Sequence, residues 1–313
     1  MKLTEINYRE VERALKTPNQ TEFNTSFHSA EEAPDLTRPS EAPVSFKRWL
    51  PVILSLRNTT SSAPPVQTIT LSKSQARLLL KTAEGSIQTG TLNRMYAEDI
   101  AEEITPLLQS QLVFPPEGLF LRLAACSPKD GAHLTRGKIA MNTVQEIILR
   151  IVTSVRARNA LHNSLEAGEE TFDLFFLPFD ERMSSDQEYR VFCPPGGRRI
   201  TAVSQYQWHK GWRYGDRHID LRKEKANTIL SGIAAVHKCI LEDLDEEDEL
   251  DKLLLQQGFS FDVFFDAGTE ACELVELNGF GVRSSCGSCL FQWVKDREQL
   301  YGGTNELEFR VAI

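Results

Sequence analysis

The chain has 313 residues, 41% hydrophobic and 25% charged, so it can bury a large core as one domain or as two lobes. Its net charge of −9 argues against a general nucleic-acid binder and against docking on an anionic membrane, because both need a basic surface. With no apolar run of about 18 residues and no apolar signal core, we predict a cytoplasmic protein with access to the nucleus and with reduced cysteines.

The N-terminal part begins with a predicted helix over residues 1–17. Residues 18–45 are rich in Pro, Ser, Thr and Glu, which predicts a flexible linker. From there to residue 163 the apolar patterns predict three strands (46–56, 66–71 and 118–126), three helices (from about Ser72 to Thr82, 94–110 and 142–163) and a loop at 59–65.

The C-terminal half mixes hairpins with helices. The turn at 194–197 is expected to join two strands, and a second hairpin is expected at 259–278. This order favours an α+β fold over a doubly wound parallel sheet. The predicted elements are strands at 171–178, 188–194, 198–206, 259–265, 271–278 and 307–312, and helices at 222–244 and within 286–301.

Glu276 and Asn278 end an apolar strand, and residues two apart in a strand point to the same face. Asp262 joins them if the strands 259–265 and 271–278 pair. Two carboxylates and an amide oxygen are ligands suited to Mg²⁺ and to the phosphates that Mg²⁺ bridges. The alternative is an ordinary strand end with solvated polar residues.

Arg122 lies on a strand whose neighbours alternate with apolar residues, and an inward cation is costly unless it meets an anion. Either a nucleotide phosphate or a buried carboxylate can be the anion that pairs with Arg122. Lys129 follows closely and offers a second cation.

Three further patterns have competing interpretations. Cys286 and Cys289 have the spacing of half a zinc site, with Cys272 and His237 as extra ligands, or they are reduced thiols. The acidic run 242–251 indicates a solvated linker. The segment 205–217, with Trp208 and Trp212 among cations, indicates a protein-binding loop, a base-stacking surface or plain packing.

Several segments occur in an order and spacing that resemble the cell division cycle 123 protein family. They are FLRLAACSPKDGA (120–132), the Thr143 to Ile151 helix start, EYRVFCPPGGRRITAVSQY (188–206), FSFDVFFDAGTEACELVELNGF (259–280) and EFRVA (308–312). The resemblance covers about residues 46–313. It implies an ATP-grasp-like fold and a chaperone role in the assembly of eukaryotic translation initiation factor 2, linked to the cell cycle.

The resemblance also implies site residues. Asp262, Glu276 and Asn278 match the Mg²⁺-binding positions, although the family usually has Asp where this chain has Glu276. Arg122 stands where the family has a nucleotide-binding Lys, and Arg190 matches the Arg of a Glu-Phe-Arg strand. Phe176 and Leu177 fall at the end of the strand that forms the adenine-contacting hinge, without the family's basic-aromatic ending, and Tyr206 replaces another family Arg.

We therefore expect two α+β lobes, about 46–170 and 171–313, that enclose a nucleotide cleft. ATP and Mg²⁺ are the expected cofactors, held by Arg122, Lys129, Phe176, Leu177, Arg190, Asp262, Glu276 and Asn278. The expected function is that of a monomeric divergent assembly factor, with the γ subunit of translation initiation factor 2 as its client. An ATP-grasp ligase acting on a carboxylate, phosphate or RNA is the alternative, and a nucleotide-free scaffold is a third. No catalytic residue is evident.

Overall fold

Two units make up the chain in the computed structural model, which describes residues 1–57, 64–135 and 137–313. The terminal unit consists of Met1–Asn58 and Glu181–Ile313, and the central unit is Thr59–Asp180. The predicted boundaries lay after residues 45 and 170. The observed division groups the first residues of the chain with its C-terminal part.

Helices and strands are interspersed along the chain, with runs of helices and hairpins of strands, in agreement with the predicted α+β class. In order they are β1 (Lys2–Ile6), α1 (Tyr8–Lys16), α2 (Phe46–Ser55), β2 (Gln67–Ser72), α3 (Lys73–Thr89), α4 (Ala97–Glu103), α5 (Thr105–Gln111), β3 (Leu119–Leu123), α6 (Val144–Val152), α7 (Val155–Glu166), β4 (Thr171–Pro178), β5 (Glu188–Cys193), β6 (Ala202–Gln205), α8 (Ile219–Glu242), α9 (Glu249–Gln257), β7 (Phe259–Asp266), β8 (Ala271–Gly279), α10 (Arg297–Leu300) and β9 (Glu308–Ala312).

The terminal unit is built on a six-stranded sheet with the order β1-β9-β6-β5-β7-β8. The consecutive strands β6, β5, β7 and β8 pair antiparallel with one another, whereas β1 and β6 both run parallel to β9. The two predicted hairpins are confirmed. The second contains an irregularity between Asp262 and Val263, where β8 has an extra residue.

The start of the chain is a strand followed by a helix, so the prediction of a single helix over 1–17 is wrong. The reason is long-range: β1 gains its hydrogen bonds from β9 at the other end of the sequence. Asn7 caps α1, and Val11 and Ala14 pack against Leu290 and Ala312. Residues 18–45, predicted as a linker, include backbone hydrogen bonds from Asn24, Phe27 and His28 to Cys289, Ser284 and Val282.

Residues 46–56 form the helix α2, not the predicted strand. A short apolar run does not distinguish a strand from a buried helix. Here Phe46, Trp49, Val52 and Ile53 recur at helical spacing and are buried. The predicted helix 142–163 is likewise divided into α6 and α7, because the Ser154 hydroxyl caps α7 by accepting from the Ala157 N–H.

Two other helix predictions are too long. Residues 94–110 form a short 3-10 turn followed by α4 and α5, with Pro106 in the first turn of α5. Residues 286–301 contain only the one-turn helix α10. The predicted loop at 59–65 lies mostly outside the described residues.

The central unit has a three-stranded antiparallel sheet with the order β2-β4-β3. Its hydrophobic core includes Leu79 of α3, Ile147 of α6, Leu161 of α7 and Phe176 of β4. Of the two candidate caps, Ser72 and Ser74, Ser72 caps α3, in a capping box with Gln75. No described helix in either unit is long and apolar enough to cross a membrane.

Packing of the N-terminal helix can be tested with a pair of variants. Val11 is fully buried, so Val11→Ala should lower the free energy of unfolding by about 2 kcal/mol through lost contacts and a residual cavity. Leu15→Ala on the same helix is the matched control, because Leu15 is exposed and its truncation should cost less than about 0.5 kcal/mol. Urea denaturation measures both. Equal, near-zero effects would mean that the helix does not contribute to the folded core.

Candidate functional site

A row of polar side chains crosses the six-stranded sheet of the terminal unit. Register pairing joins Thr4 to Arg310, Arg310 to Ser204, Ser204 to Arg190, Arg190 to Asp262 and Asp262 to Glu276. Residues paired in this way lie on the same face of a sheet. We call Thr4, Arg310, Ser204, Arg190, Asp262 and Glu276 the polar row.

Arg190 and Asp262 form a bidentate ion pair at the centre of this row. Nε of Arg190 donates to Oδ1 of Asp262 at 2.8 Å, and Nη2 donates to Oδ2 at 2.7 Å. The Asp262 residue is 1% exposed and Arg190 is 6% exposed. Two parallel hydrogen bonds fix the plane of the carboxylate relative to the guanidinium. Asp262 is therefore held in one orientation.

Asn278 and Glu276 lie beside this ion pair, as the sequence predicted. Nδ2 of Asn278 donates to Oδ2 of Asp262 at 3.3 Å, and Glu276 is the register partner of Asp262. The extra residue in β8 falls immediately before Glu276, at Val275, since Leu274 pairs with Val263. The predicted gathering of Asp262, Glu276 and Asn278 is confirmed, although their role as Mg²⁺ ligands stays a prediction.

The charge balance of the site is set by its burial. Burial raises the pKa of Asp262; the Arg190 guanidinium lowers it, and the neighbouring Glu276 raises it again, for a net rise. Burial also opposes the charge of Arg190, but the nearby Asp262 raises the pKa of the guanidinium well above its ordinary value. Two carboxyl groups thus face one firmly protonated arginine. The net rise means that burial and Glu276 together outweigh the stabilisation of the Asp262 carboxylate by Arg190.

The segment 284–293 covers this part of the sheet. Nη1 of Arg190 donates to the Gly287 carbonyl at 2.8 Å, and the Leu290 N–H donates to the Ser204 hydroxyl at 3.1 Å. The Cys286 thiol lies 3.0 Å from the Ser260 hydroxyl. The Arg190 guanidinium therefore donates both to the Asp262 carboxylate and to the Gly287 backbone carbonyl.

The zinc interpretation of the cysteines is not supported. In residues 1–57, 64–135 and 137–313, no three His, Cys, Asp or Glu side chains are grouped to hold a metal. Nε2 of His237 instead lies 3.1 Å from the Gly197 carbonyl. Burial raises the pKa of Cys286 to about 11 and that of Cys289 to about 12, so both thiols stay protonated.

Arg310, which lies between Thr4 and Ser204 in the polar row, was missed from the sequence. Its Nη1 and Nη2 donate to Asp296 at 2.9 and 2.8 Å, and its Nε donates to Glu308 at 3.0 Å. Its guanidinium also lies 4.0 Å from the ring centroid of Phe291. The alternation of Glu308 and Arg310 with buried apolar residues was the available signal.

The other predicted cofactor-binding residues lie in the central unit. Arg122 pairs with Phe175 in the sheet, so Arg122 and Leu177 share one buried face. Phe176 points to the other face, into the hydrophobic core. Lys129 is exposed in the loop after β3. The predicted set therefore forms two groups, one in each unit, and a nucleotide role for the residues of the central unit stays a prediction.

Trp212 is a structural residue and not the exposed anchor that a protein-binding loop would provide. It is 5% exposed, its Nε1 donates to the Tyr189 hydroxyl at 3.0 Å, and its ring packs edge-on against Tyr214 at 5.3 Å. A cavity of about 390 Å³ adjoins it, lined by Ser184, Asp186, Gln205, Gln207, Lys210, Gly211, Trp212 and Arg213.

The acidic run 242–251 is also more ordered than a solvated linker. Arg48 of α2 forms ion pairs with Asp243 at 2.6 Å and with Asp251 at 2.8 Å. Asp251 is buried, and the Asp248 side chain caps α9. The cation that stabilises this run comes from a distant segment, which sequence spacing cannot reveal.

Comparison with known proteins rests on solved structures, because no protein-family model and no curated protein matches the chain. The structure of Cdc123 from Schizosaccharomyces pombe matches with a TM-score of 0.57 and 19% identity, over 89% of this chain and 99% of that one. This chain has the fold of Cdc123. That finding agrees with the family resemblance and with the predicted α+β class. At this identity it establishes the fold alone.

Two further structures match. A C-terminally truncated Cdc123 from the same organism has a TM-score of 0.56 and 17% identity, over 87% of this chain and 96% of that one. A RimK domain ATP-grasp protein from Sphaerobacter thermophilus has a TM-score of 0.31 and 12% identity, over 84% and 65%, and supports no argument at that score.

The ion pair can be tested by removing one or both partners. Arg190→Met leaves Asp262 buried without its cation, so it should lower the free energy of unfolding by about 3 kcal/mol. The loss should be smaller at about pH 5 than at about pH 8, because without Arg190 the pKa of Asp262 rises further and the folded state takes up a proton.

The double variant Arg190→Met with Asp262→Leu is the control. Replacing both members of a buried pair by apolar residues should restore most of the stability, as measured by urea denaturation. A double variant as unstable as Arg190→Met alone would show that the arginine acts through packing and not through its charge.

Proposed function

We propose that the protein is an ATP–Mg²⁺-binding assembly factor of the Cdc123 type, whose client is the γ subunit of translation initiation factor 2. The observation that carries the nucleotide part is the pair of adjacent carboxyl groups, Asp262 and Glu276, beside the Arg190 guanidinium. The Cdc123 fold supports the assignment of these residues to an ATP-grasp-like site.

Asp262, Glu276 and Asn278 fit the donor set of a hard divalent cation, which prefers carboxylate and amide oxygens. Each carboxylate oxygen has more than one lone pair, so Asp262 can accept from Arg190 and still ligate a cation. Bound Mg²⁺ would supply charge neutralisation for nucleotide phosphates. Since this chain offers two carboxylates and one amide, water and phosphate oxygens would complete the coordination.

Arg190 is proposed to position Asp262 for this role. The bidentate hydrogen bonds and the Gly287 carbonyl hold the guanidinium in place, so Asp262 stays oriented whether or not a cation is present. This assigns Arg190 to positioning rather than to direct nucleotide contact. Direct contacts to phosphate are proposed for Arg122 and Lys129. Contacts to adenine are proposed for the backbone of the strand end at Phe176 and Leu177, since both side chains are buried.

Mg²⁺-dependent nucleotide binding tests the first part of the proposal. ATP with Mg²⁺ should raise the melting temperature, because a ligand that binds only the folded state stabilises it. Glu276→Gln should weaken ATP affinity about tenfold when Mg²⁺ is present and little when it is absent, since it removes a charged ligand of the metal. Thermal denaturation measures the melting temperature, and isothermal titration calorimetry measures the affinities.

Glu270→Gln is the control, because Glu270 lies in the turn of the same hairpin and its carboxylate pairs with Lys225. It should leave ATP affinity unchanged. Absence of heat and of a thermal shift at millimolar ATP–Mg²⁺ would overturn the nucleotide assignment. Formation of ADP or AMP with consumption of an acceptor would move the protein to the ligase class.

Client binding tests the second part. Purified γ subunit of translation initiation factor 2 should bind the protein. The exposed cations beside the 390 Å³ cavity are the proposed contact, so Arg213→Ala should weaken capture about tenfold while leaving ATP affinity unchanged. Lys223→Ala on the exposed side of α8 is the control. If the γ subunit does not bind the parent protein, the client is wrong even where ATP binding holds.

A further inference from the structure

A buried arginine in the central unit has no carboxylate partner. Arg150 of α6 is 6% exposed, and no described residue forms an ion pair with it. Its Nε has no hydrogen-bond partner in the described part of the chain. A buried charge is costly unless an opposite charge or several hydrogen bonds compensate it. The position of Arg150 therefore needs an explanation.

Among the described residues, His133 provides the one hydrogen-bonding contact of this guanidinium, and the same His133 nitrogen also contacts a carbonyl group. Nη2 of Arg150 lies against Nδ1 of His133, and the same nitrogen lies against the Lys138 carbonyl. A neutral imidazole nitrogen cannot accept from the arginine and donate to the carbonyl at once. At most one of the five N–H groups of Arg150 is satisfied by described side chains.

The loop over Arg150 is fixed in place. A Cβ on Gly131 would lie 2.2 Å from the Arg150 carbonyl oxygen, so only glycine permits this approach. The Ala132 N–H donates to the Thr153 hydroxyl at 2.7 Å, which ties the loop to the end of α6. The loop that carries His133 is thus held against the end of α6 by close backbone packing and a hydrogen bond.

The carboxylates of Glu146 and Asp130 lie near Arg150 but form no ion pair with it. Burial lowers the pKa of the Arg150 guanidinium, and the more distant Glu146 and Asp130 offset this only in part. Asp130 accepts from the Ser154 hydroxyl and the Arg156 N–H, and Glu146 accepts from the Asn142 N–H and pairs with Lys138. Both carboxylates are engaged elsewhere.

We propose that Arg150, His133 and Lys138 form a binding site for a phosphate group. The planar guanidinium matches the geometry of phosphate oxygens and can donate two parallel hydrogen bonds. Lys138 is 39% exposed at its side chain and His133 is half-buried, so both lie at an accessible edge of the buried arginine. Phosphate oxygens would accept the hydrogen bonds that the protein leaves unmade. This site involves none of the residues of the polar row.

The probe is inorganic phosphate. Its binding to the full chain is measured by thermal denaturation and by calorimetry. Without phosphate, Arg150→Met should be at least as stable as the parent, because it removes an uncompensated buried charge. With phosphate, the parent should be stabilised in a saturable manner. The variant should bind phosphate about tenfold or more weakly, the effect of removing a charged hydrogen-bond donor.

Arg158→Met is the matched control, since Arg158 is exposed on the next helix and should bind phosphate as the parent does. Arg150→Lys should keep part of the affinity, which preserves the test if the methionine variant fails to fold. Absence of saturable phosphate binding to the parent, or equal binding by the parent and Arg150→Met, would overturn the proposal.

Adding ATP in buffer without Mg²⁺ tests whether the phosphate group at this site belongs to a nucleotide or to another phosphorylated compound. If ATP competes with inorganic phosphate and its binding is weakened by Arg150→Met, the nucleotide supplies the group. If ATP binding is unchanged while phosphate binding is lost, another phosphorylated compound does. Glu276→Gln leaves the Arg150 site intact. The Mg²⁺ proposal and the phosphate proposal can therefore be overturned independently, the first with Glu276→Gln and the second with Arg150→Met.

Discussion

The structure of the terminal unit depends on placing the Arg190–Asp262 ion pair in the interior of a sheet. Neither charge is accessible to water, so each must be compensated by the protein. The carboxylate and the guanidinium compensate one another through two hydrogen bonds, and the Gly287 carbonyl accepts a third. The segment 284–293 is therefore required over the sheet, both to exclude solvent and to supply that acceptor.

The N-terminal residues reinforce the same segment. The Asn24 N–H donates to the Cys289 carbonyl at 2.7 Å, and the Thr25 N–H donates to the Ser288 hydroxyl at 2.9 Å. Trp293 in turn donates from its backbone N–H to the Thr25 hydroxyl. The beginning of the chain thus stabilises the cover of the ion pair, while β1 extends the sheet beneath it. This accounts for the grouping of both ends of the sequence in one unit.

Local patterns in the sequence were sufficient for the hairpin 259–278 and for the common face of Asp262, Glu276 and Asn278. Period-two alternation and a short turn determine both features. They were insufficient where the decisive partner is far away in sequence. The pairing of Arg190 with Asp262 depends on register between separate strands, β1 depends on β9, and Arg48 reaches the acidic run from α2. The helix α2 was missed for another reason, since an apolar decapeptide fits either a strand or a helix.

The Glu276 carboxyl group beside the Arg190–Asp262 ion pair distinguishes this site from an ordinary buried salt bridge. Arg190 and Asp262 alone would be balanced, and Glu276 beside them adds a second acid that raises the pKa of Asp262. An acid with a raised pKa keeps its proton in the folded state at a pH where the unfolded chain has lost it. The free energy of unfolding therefore falls as the pH rises from the ordinary pKa of an aspartate to the raised pKa of Asp262. In the proposed Mg²⁺ role, a divalent cation would compete with that proton for the Asp262 carboxylate. The proposal therefore requires Mg²⁺ binding to weaken as the pH falls below the raised pKa of Asp262.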